Sequence, residues 1–248
     1  MKLGEHLQIA LSVEDIQKTK EFFDRLGHRK TDNFDPQPFA VEMLADGYNL
    51  IGLNERAFHS PVLKYYARDF DEVVKYLESL DCIVNTVKDG EKVMAASVFD
   101  PSEQHIVVLP LETRNIPEPE NKSVVGIGTF EEYAIPVEDL NVSLAFWKSI
   151  GYEPIQGAGY GGKEPYPWQV ITDGLLMIGL HQTQEFPVAG LAYYHPEQKQ
   201  NIEILRSGGM EFAAEMKDKN GDVVSAIAVT PDQQPVFIFQ GEIKRDKV

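Results

Sequence analysis

Leu11-Ser-Val-Glu-Asp15, followed by Glu21-Phe-Phe23 and Leu26-Gly27, returns later in the chain as Ile135-Pro-Val-Glu-Asp139, Ala145-Phe-Trp147 and Ile150-Gly151, always at one offset. Beyond these segments the register drifts by a few residues, as unequal loops make it. Pro38-Phe39 matches Pro167-Trp168, Asp46-Gly47 matches Asp173-Gly174, Ile51-Gly-Leu53 matches Ile178-Gly-Leu180, and Pro101 matches Pro231. A repeat fixes architecture with fewer assumptions than residue propensity does. It divides the chain into two homologous halves, 1–112 and 128–248, joined by a linker at 113–127 that holds the Pro/Glu-rich Pro117-Glu-Pro-Glu-Asn-Lys122.

Hydrophobic period orders the elements within each half. Alternation through Leu7 to Val13 predicts a strand, and Asp15 is placed to cap a helix whose Ile16, Thr19, Phe22, Phe23 and Leu26 share one face, with Gly27 at its end. Strands are expected near 28–34, 39–44 and 48–54. A second round has a strand near 62–68, a helix near 71–80 and strands near 83–88, 93–99 and 105–109. The second half repeats the order, with helices near 141–150 and 198–208. Each half is thus βαβββ twice over, an α+β plan.

Composition narrows the functions. Asp and Glu number 39 against 23 Lys and Arg, a net charge of −16, which disfavours nucleic acid and anionic membranes as partners because neutralising phosphates needs a basic face. Cys82 is the single cysteine, so no intrachain disulfide and no cysteine-based zinc site is possible. No apolar run approaches the length that spans a bilayer, and the N-terminus enters a strand pattern rather than a signal core, so the expected location is cytoplasmic.

A strand ending in Val-x-Asp, a helix bearing Phe22-Phe23 or Phe146-Trp147, and then Leu26-Gly27 or Ile150-Gly151 resembles the opening of a domain of the vicinal oxygen chelate superfamily, which includes glyoxalases, bleomycin-resistance proteins and extradiol dioxygenases. Phe99-Asp-Pro-Ser-Glu-Gln-His-Ile106 is similar to the hairpin before that family's last strand; Thr230-Pro-Asp-Gln-Gln234 is a looser match. The resemblance implies tandem glyoxalase-like domains, each a cupped mixed sheet with helices on the convex side. It also implies, for catalytic members, a divalent metal (Zn, Ni, Fe or Mn) held by four inward-pointing side chains. Those positions fall on Gln8, Gly52, Val62 and Val107 in the first half and on Glu132, Gly179, Gly190 and Phe237 in the second. Only Gln8 and Glu132 carry a donor, and affinity follows ligand count, so no metal is expected.

Side chains two apart share a strand face. The first concave face is therefore assigned Gln8, Ala10, Asn54, Lys64, Tyr66, His105 and Val107, and the second Glu132, Ala134, Met177, His181, Tyr194, Phe237 and Phe239. The second set joins an aromatic wall to one carboxylate and one imidazole, the mixture of a small-molecule pocket. Glu132 and His181 are the candidate catalytic acid–base pair, or a remnant of two metal ligands. A hydrogen bond that merely satisfies both is the structural alternative.

Gly157-Ala-Gly-Tyr-Gly-Gly-Lys163 has the glycine spacing of a dinucleotide fingerprint and nearly that of a phosphate-binding loop, but Pro165 and Pro167 follow where both need a helix. A flap carrying Tyr160, Tyr166 and Trp168 toward the second cup suits the segment better, beside the plainer reading of a hairpin loop. His195 is assigned to a rim loop, and His28 and His59 to surface turns. The leading expectation is a small-molecule binder, monomeric or homodimeric, without the family's metal. The alternatives are a metal-dependent lyase, isomerase or dioxygenase using Glu132, His181 and a third donor, and a structural protein with filled cups.

Overall fold

The computed structural model describes residues 1–34, 38–111, 115–117, 126–157, 161–163 and 165–241. The first half runs β1 (His6–Ser12), α1 (Ile16–Leu26), β2 (Arg29–Lys30), β3 (Val41–Ala45), β4 (Leu50–Asn54), β5 (Val62–Ala67), α2 (Phe70–Glu78), β6 (Asn85–Asp89), β7 (Lys92–Phe99) and β8 (His105–Pro110). The second runs β9 (Thr129–Pro136), α3 (Leu140–Ser149), β10 (Glu153–Pro154), β11 (Gly161–Gly162), β12 (Trp168–Thr172), β13 (Met177–His181), β14 (Gly190–His195), α4 (Gln198–Ser207), β15 (Ala214–Lys217), β16 (Val223–Val229) and β17 (Pro235–Gln240).

The local chemistry repeats with the fold. Asp15 accepts from the Lys18 amide at 3.1 Å at the start of α1, and Asp139 accepts from the Asn141 and Val142 amides at the start of α3. Gly27 and Gly151 follow the two helices at φ 97° and 99°, a conformation that favours glycine. Asp46 and Asp173 each accept two backbone N–H groups around Gly47 and Gly174, closing the β3–β4 and β12–β13 turns.

Two mixed sheets result, in the orders β2-β3-β4-β1-β5-β8-β7-β6 and β10-β12-β13-β9-β14-β17-β16-β15, with β11 added beside β12. In each, the two central strands are antiparallel and each is parallel to its outer neighbour. The expected βαβββ modules are present four times. The strand expected at 28–34 shrinks to Arg29–Lys30, because the chain leaves the edge after Thr31 and buries Phe34 against the first concave face.

One continuous core lies between the sheets. Leu7, Ile9, Leu11, Tyr65 and Val108 meet Tyr133, Ile135, Tyr193 and Ile238 through Phe23, Leu77, Trp147 and Ile202 of the helices. The helices therefore occupy the convex sides, and the concave faces point away from each other. Hydrogen bonds cross this core: Tyr193 donates to Asp46 at 2.6 Å, Tyr133 to Gln104 at 2.9 Å, and the Trp147 indole to Asp100 at 3.0 Å. His28 lies here too, 3% exposed with Nε2 3.1 Å from the Tyr193 hydroxyl. That corrects its assignment to a surface turn: Gly27 turns the chain inward, and the second sheet covers what the first half alone would leave exposed.

Candidate functional site

The strand registers place the assigned residues on the two concave faces. In the first, β1 pairs with β4 and β5 so that Gln8, Gly52, Asn54, Lys64 and Tyr66 lie on one side, with Val107 beside Lys64. Gln8, Asn54 and Tyr66 are 1%, 1% and 0% exposed. The Gln8 carboxamide accepts from the Tyr66 hydroxyl at 2.7 Å and donates to the Met43 sulfur at 3.5 Å. Asn54 donates to the carbonyls of Leu11 and Gly52. Phe34, Leu111 and Ile116 pack with Met43, Leu50 and Tyr66 over this floor, so a residue of the stretch read as linker, Ile116, seals the first cup. His105 stands apart at the rim, stacked on Phe99 at 4.4 Å, its pKa lowered by burial and then by His59.

The second cup has the same frame and other contents. Glu132 Oε1 lies 2.7 Å from His181 Nε2, with Glu132 8% exposed and the His181 side chain 13%. Gly179 makes this possible: a Cβ there would stand 2.2 Å from Glu132 Oε2, so the carboxylate lies across bare backbone. Gly190 gives the Phe237 ring the same room, at 2.6 Å from a built Cβ. Around the imidazole, Trp168 stacks at 6.0 Å and 8°, while Tyr166 and Phe186 approach edge-on at 5.9 and 5.8 Å. Phe237 and Phe239 stack at 5.9 Å, and Tyr194 meets Phe239 at 5.4 Å. Met177 is half-buried on the same face, two residues from Gly179 along β13.

Burial, then Glu132 and Glu131, push the Tyr194 phenol well above its ordinary pKa, so it is a neutral donor at pH 7. Glu131 has no place in the sequence assignment. Glu132 pairs with Ala192 and Phe130 with Tyr193, which leaves Glu131 as the extra residue of a β-bulge and brings its charge to bear on Tyr194. No pattern of alternation signals a bulge; two adjacent glutamates in an otherwise apolar strand are the one local hint.

The metal positions implied by the resemblance meet in space but do not fit a divalent ion. Gln8 is engaged by Tyr66 and Met43, and Phe237 fills the space over Gly190 where donors would have to converge. Among the described residues, no group of three His, Cys, Asp or Glu side chains is arranged to hold a metal ion. The pair Glu132–His181 supplies two donors, short of the three or four that fix a catalytic centre.

Tyr160 lies outside the described residues, so the proposed flap is represented by Gly161–Gly162, which pairs with Trp168 and Gln169. His195 ends β14 rather than sitting on a loop, and its Nδ1 accepts from the Glu197 amide at 3.0 Å. Grooves of about 800 and 950 Å³ run along the seam between the sheets, lined by equivalent turns of the two halves, among them Glu14 and Asp232 in one and Glu138 and Ser102 in the other. They are open clefts, and Phe186 of the second cup's wall also lines the larger one. Among the described residues no helix is long and apolar enough to cross a membrane.

Solved structures share this arrangement of strands and helices. A catechol 2,3-dioxygenase matches with 12% identity and a TM-score of 0.62, over 98% of this chain and 89% of that one. The fold is that of the extradiol ring-cleaving dioxygenases. Homoprotocatechuate 2,3-dioxygenase from Arthrobacter globiformis matches with 14% identity and TM-score 0.59, over 98% of this chain and 81% of that one. An extradiol ring-cleaving dioxygenase from B. fuscum matches with 15% identity and TM-score 0.59, over 98% and 73%. At such identities the likeness is one of fold. No protein-family model matches the chain, and no curated protein matches it in sequence.

Proposed function

We propose that the second cup binds a small planar aromatic molecule without a metal ion, and that Glu132 and His181 orient it or exchange a proton with it. The observation that carries this reading is the 2.7 Å contact between Glu132 and His181 set inside a wall of Trp168, Tyr166, Phe186 and Phe237. The tautomer with Nε2–H donates to the carboxylate and keeps Nδ1 as an acceptor. A ligand hydroxyl presented to them can lose its proton to the imidazole while the carboxylate stabilises the resulting imidazolium. Stacked rings supply the apolar contact that a planar ligand needs. Among the structures of like fold, a B. fuscum homoprotocatechuate 2,3-dioxygenase variant is in complex with HPCA, a small molecule.

The test combines calorimetry with metal analysis. Phenol and catechol are titrated into the full chain with and without chelator, and into His181→Leu. Saturable binding that chelator leaves unchanged and His181→Leu abolishes is expected, with metal content below about 0.1 ion per chain. A second reading, a metal-dependent dioxygenase, is favoured by the names of the fold relatives. About one iron or manganese per chain, with oxygen uptake on catechol, would put it in place of the first.

A further inference from the structure

Each half sets a tyrosine on the strand next to its central polar residue, Tyr66 near Gln8 and Tyr194 near Glu132, and only the first pair is bonded. In the first sheet Gln8 pairs with Lys64 and His6 with Tyr66, a step of two residues along both strands, and the Tyr66 hydroxyl donates to Gln8 Oε1 at 2.7 Å. In the second sheet Glu132 pairs with Ala192 and Thr129 with Tyr194, so three residues of β9 answer to two of β14. The extra residue of the bulge lengthens the path between Tyr194 and Glu132. A bulge re-aims the side chains beside it and is common next to binding sites. Glu132 is meanwhile held from β13, the strand on the side away from Tyr194, by His181 at 2.7 Å. The Tyr194 ring rests against Phe239 at 5.4 Å, and among the described residues its hydroxyl has no hydrogen-bond partner. The phenol is protonated at pH 7, since burial and then Glu132 raise it, so it has a proton to donate.

We propose that Tyr194 is a further ligand-contacting residue of the second cup: it donates to a hydroxyl of the ligand, which donates in turn to Glu132, so that the ligand oxygen completes the bridge that Tyr66 and Gln8 make directly. This assignment rests on the reading of the cup as an aromatic-ligand site and deepens it by naming the group that is recognised. An oxygen between a phenol and a carboxylate must accept from the one and donate to the other, as a hydroxyl does and an ether does not. The first cup leaves no such place, because the direct bond takes it.

The test uses three probes of one ring size: phenol, anisole and toluene, which carry a hydroxyl, an ether and no oxygen. Each is titrated calorimetrically into the full chain and into Tyr194→Phe. The parent protein is expected to bind phenol at least about tenfold more tightly than anisole, because the ether leaves Glu132 without a donor. Tyr194→Phe should weaken phenol by about fivefold or more and leave toluene within about twofold, whereas a merely structural role for Tyr194 would move both alike. Unchanged phenol binding, or equal losses of phenol and toluene in a variant that melts as the parent does, overturns the assignment of Tyr194 and leaves the aromatic-site reading standing. Equal binding of phenol and anisole by the parent protein does the same and needs no variant to fold. Binding of none of the three overturns both.

Discussion

The two cups share one strand plan and differ at equivalent positions in ways that make one a sealed floor and the other a polar, aromatic recess. Gln8 and Glu132 stand at the same point of β1 and β9, each lying over a glycine, Gly52 or Gly179. An amide is both donor and acceptor, so Gln8 is satisfied between Tyr66 and Met43 and can be covered by Phe34 and Ile116. A carboxylate accepts only, and Glu132 is kept at the edge of solvent by an imidazole where the first cup has Asn54. Where the first half has Val41 and Leu109, the second has Trp168 and Phe239. The two concave faces of one strand plan differ in whether the central polar group is closed over.

Gln8→Glu attacks that contrast most directly. A charge placed beside the Met43 sulfur, under an apolar cover, is expected to lower the unfolding free energy by about 4 kcal/mol, whereas Glu132→Gln, facing an imidazole near solvent, should change it by about 1 kcal/mol or less. Denaturant unfolding reads both, and equal losses would mean that the first cup is as open as the second.

The cores behind the cups differ as well. Tyr193 donates to Asp46 beside His28, while its counterpart Tyr65 meets the hydroxyl of Tyr152. Burial lowers the His28 pKa to about 4, so the folded protein binds a proton there less readily than the unfolded chain. Stability is therefore full above the unfolded value near 6.5 and falls as the pH drops toward 4, by about 3 kcal/mol in all. Asp100 and Asp173, both raised chiefly by burial, act in the opposite sense, gaining stability as acid is added. His28→Tyr, which copies the other half, isolates the histidine. Melting temperatures between pH 4 and 7 should decline less steeply in the variant, and parallel curves would remove His28 from the account.

Adding a methyl group beneath each central side chain sharpens the comparison. A Cβ on Gly52 would stand 1.8 Å from Gln8 Nε2, and one on Gly179 would stand 2.2 Å from Glu132 Oε2. Gln8 is held on both sides and covered, so Gly52→Ala is expected to cost about 2 to 3 kcal/mol; Glu132 has open space to turn into, and Gly179→Ala should cost about 1 kcal/mol. A larger loss at Gly179 would contradict the openness of the second cup. The smallest effect concerns a feature the halves share. Glu103 and Gln233 occupy the same turn position at φ 66° and 67°, where glycine is unstrained. Replacing either by Gly should change stability by only about 0.5 kcal/mol, and by the same amount in both halves.

Much of the fold is legible in the residues because its signals are local. The modules, helix caps at Asp15 and Asp139, turns at Gly47 and Gly174, and the faces of Gln8, Glu132, His181 and Tyr194 all follow from alternation and capping, which act over a few residues. The candidate site is legible in the same measure: Glu132 and His181 are placed on one face of neighbouring strands by period alone. Glu131 is not, because a bulge is set by the partner strand, nor is the burial of His28, which depends on a second sheet arriving over the first.

By itself the sequence determined two copies of a strand-and-helix plan and the side chains each concave face presents, since repeat, period and turn chemistry are properties of adjacent residues. Tertiary structure alone decided that Phe34 and Ile116 close the first face, that a bulge adds Glu131 to β9, and that Tyr193 and Trp147 of the second half bond to Asp46 and Asp100 of the first. Those outcomes depend on packing between segments far apart in the chain, where shape and desolvation, rather than local preference, select the arrangement.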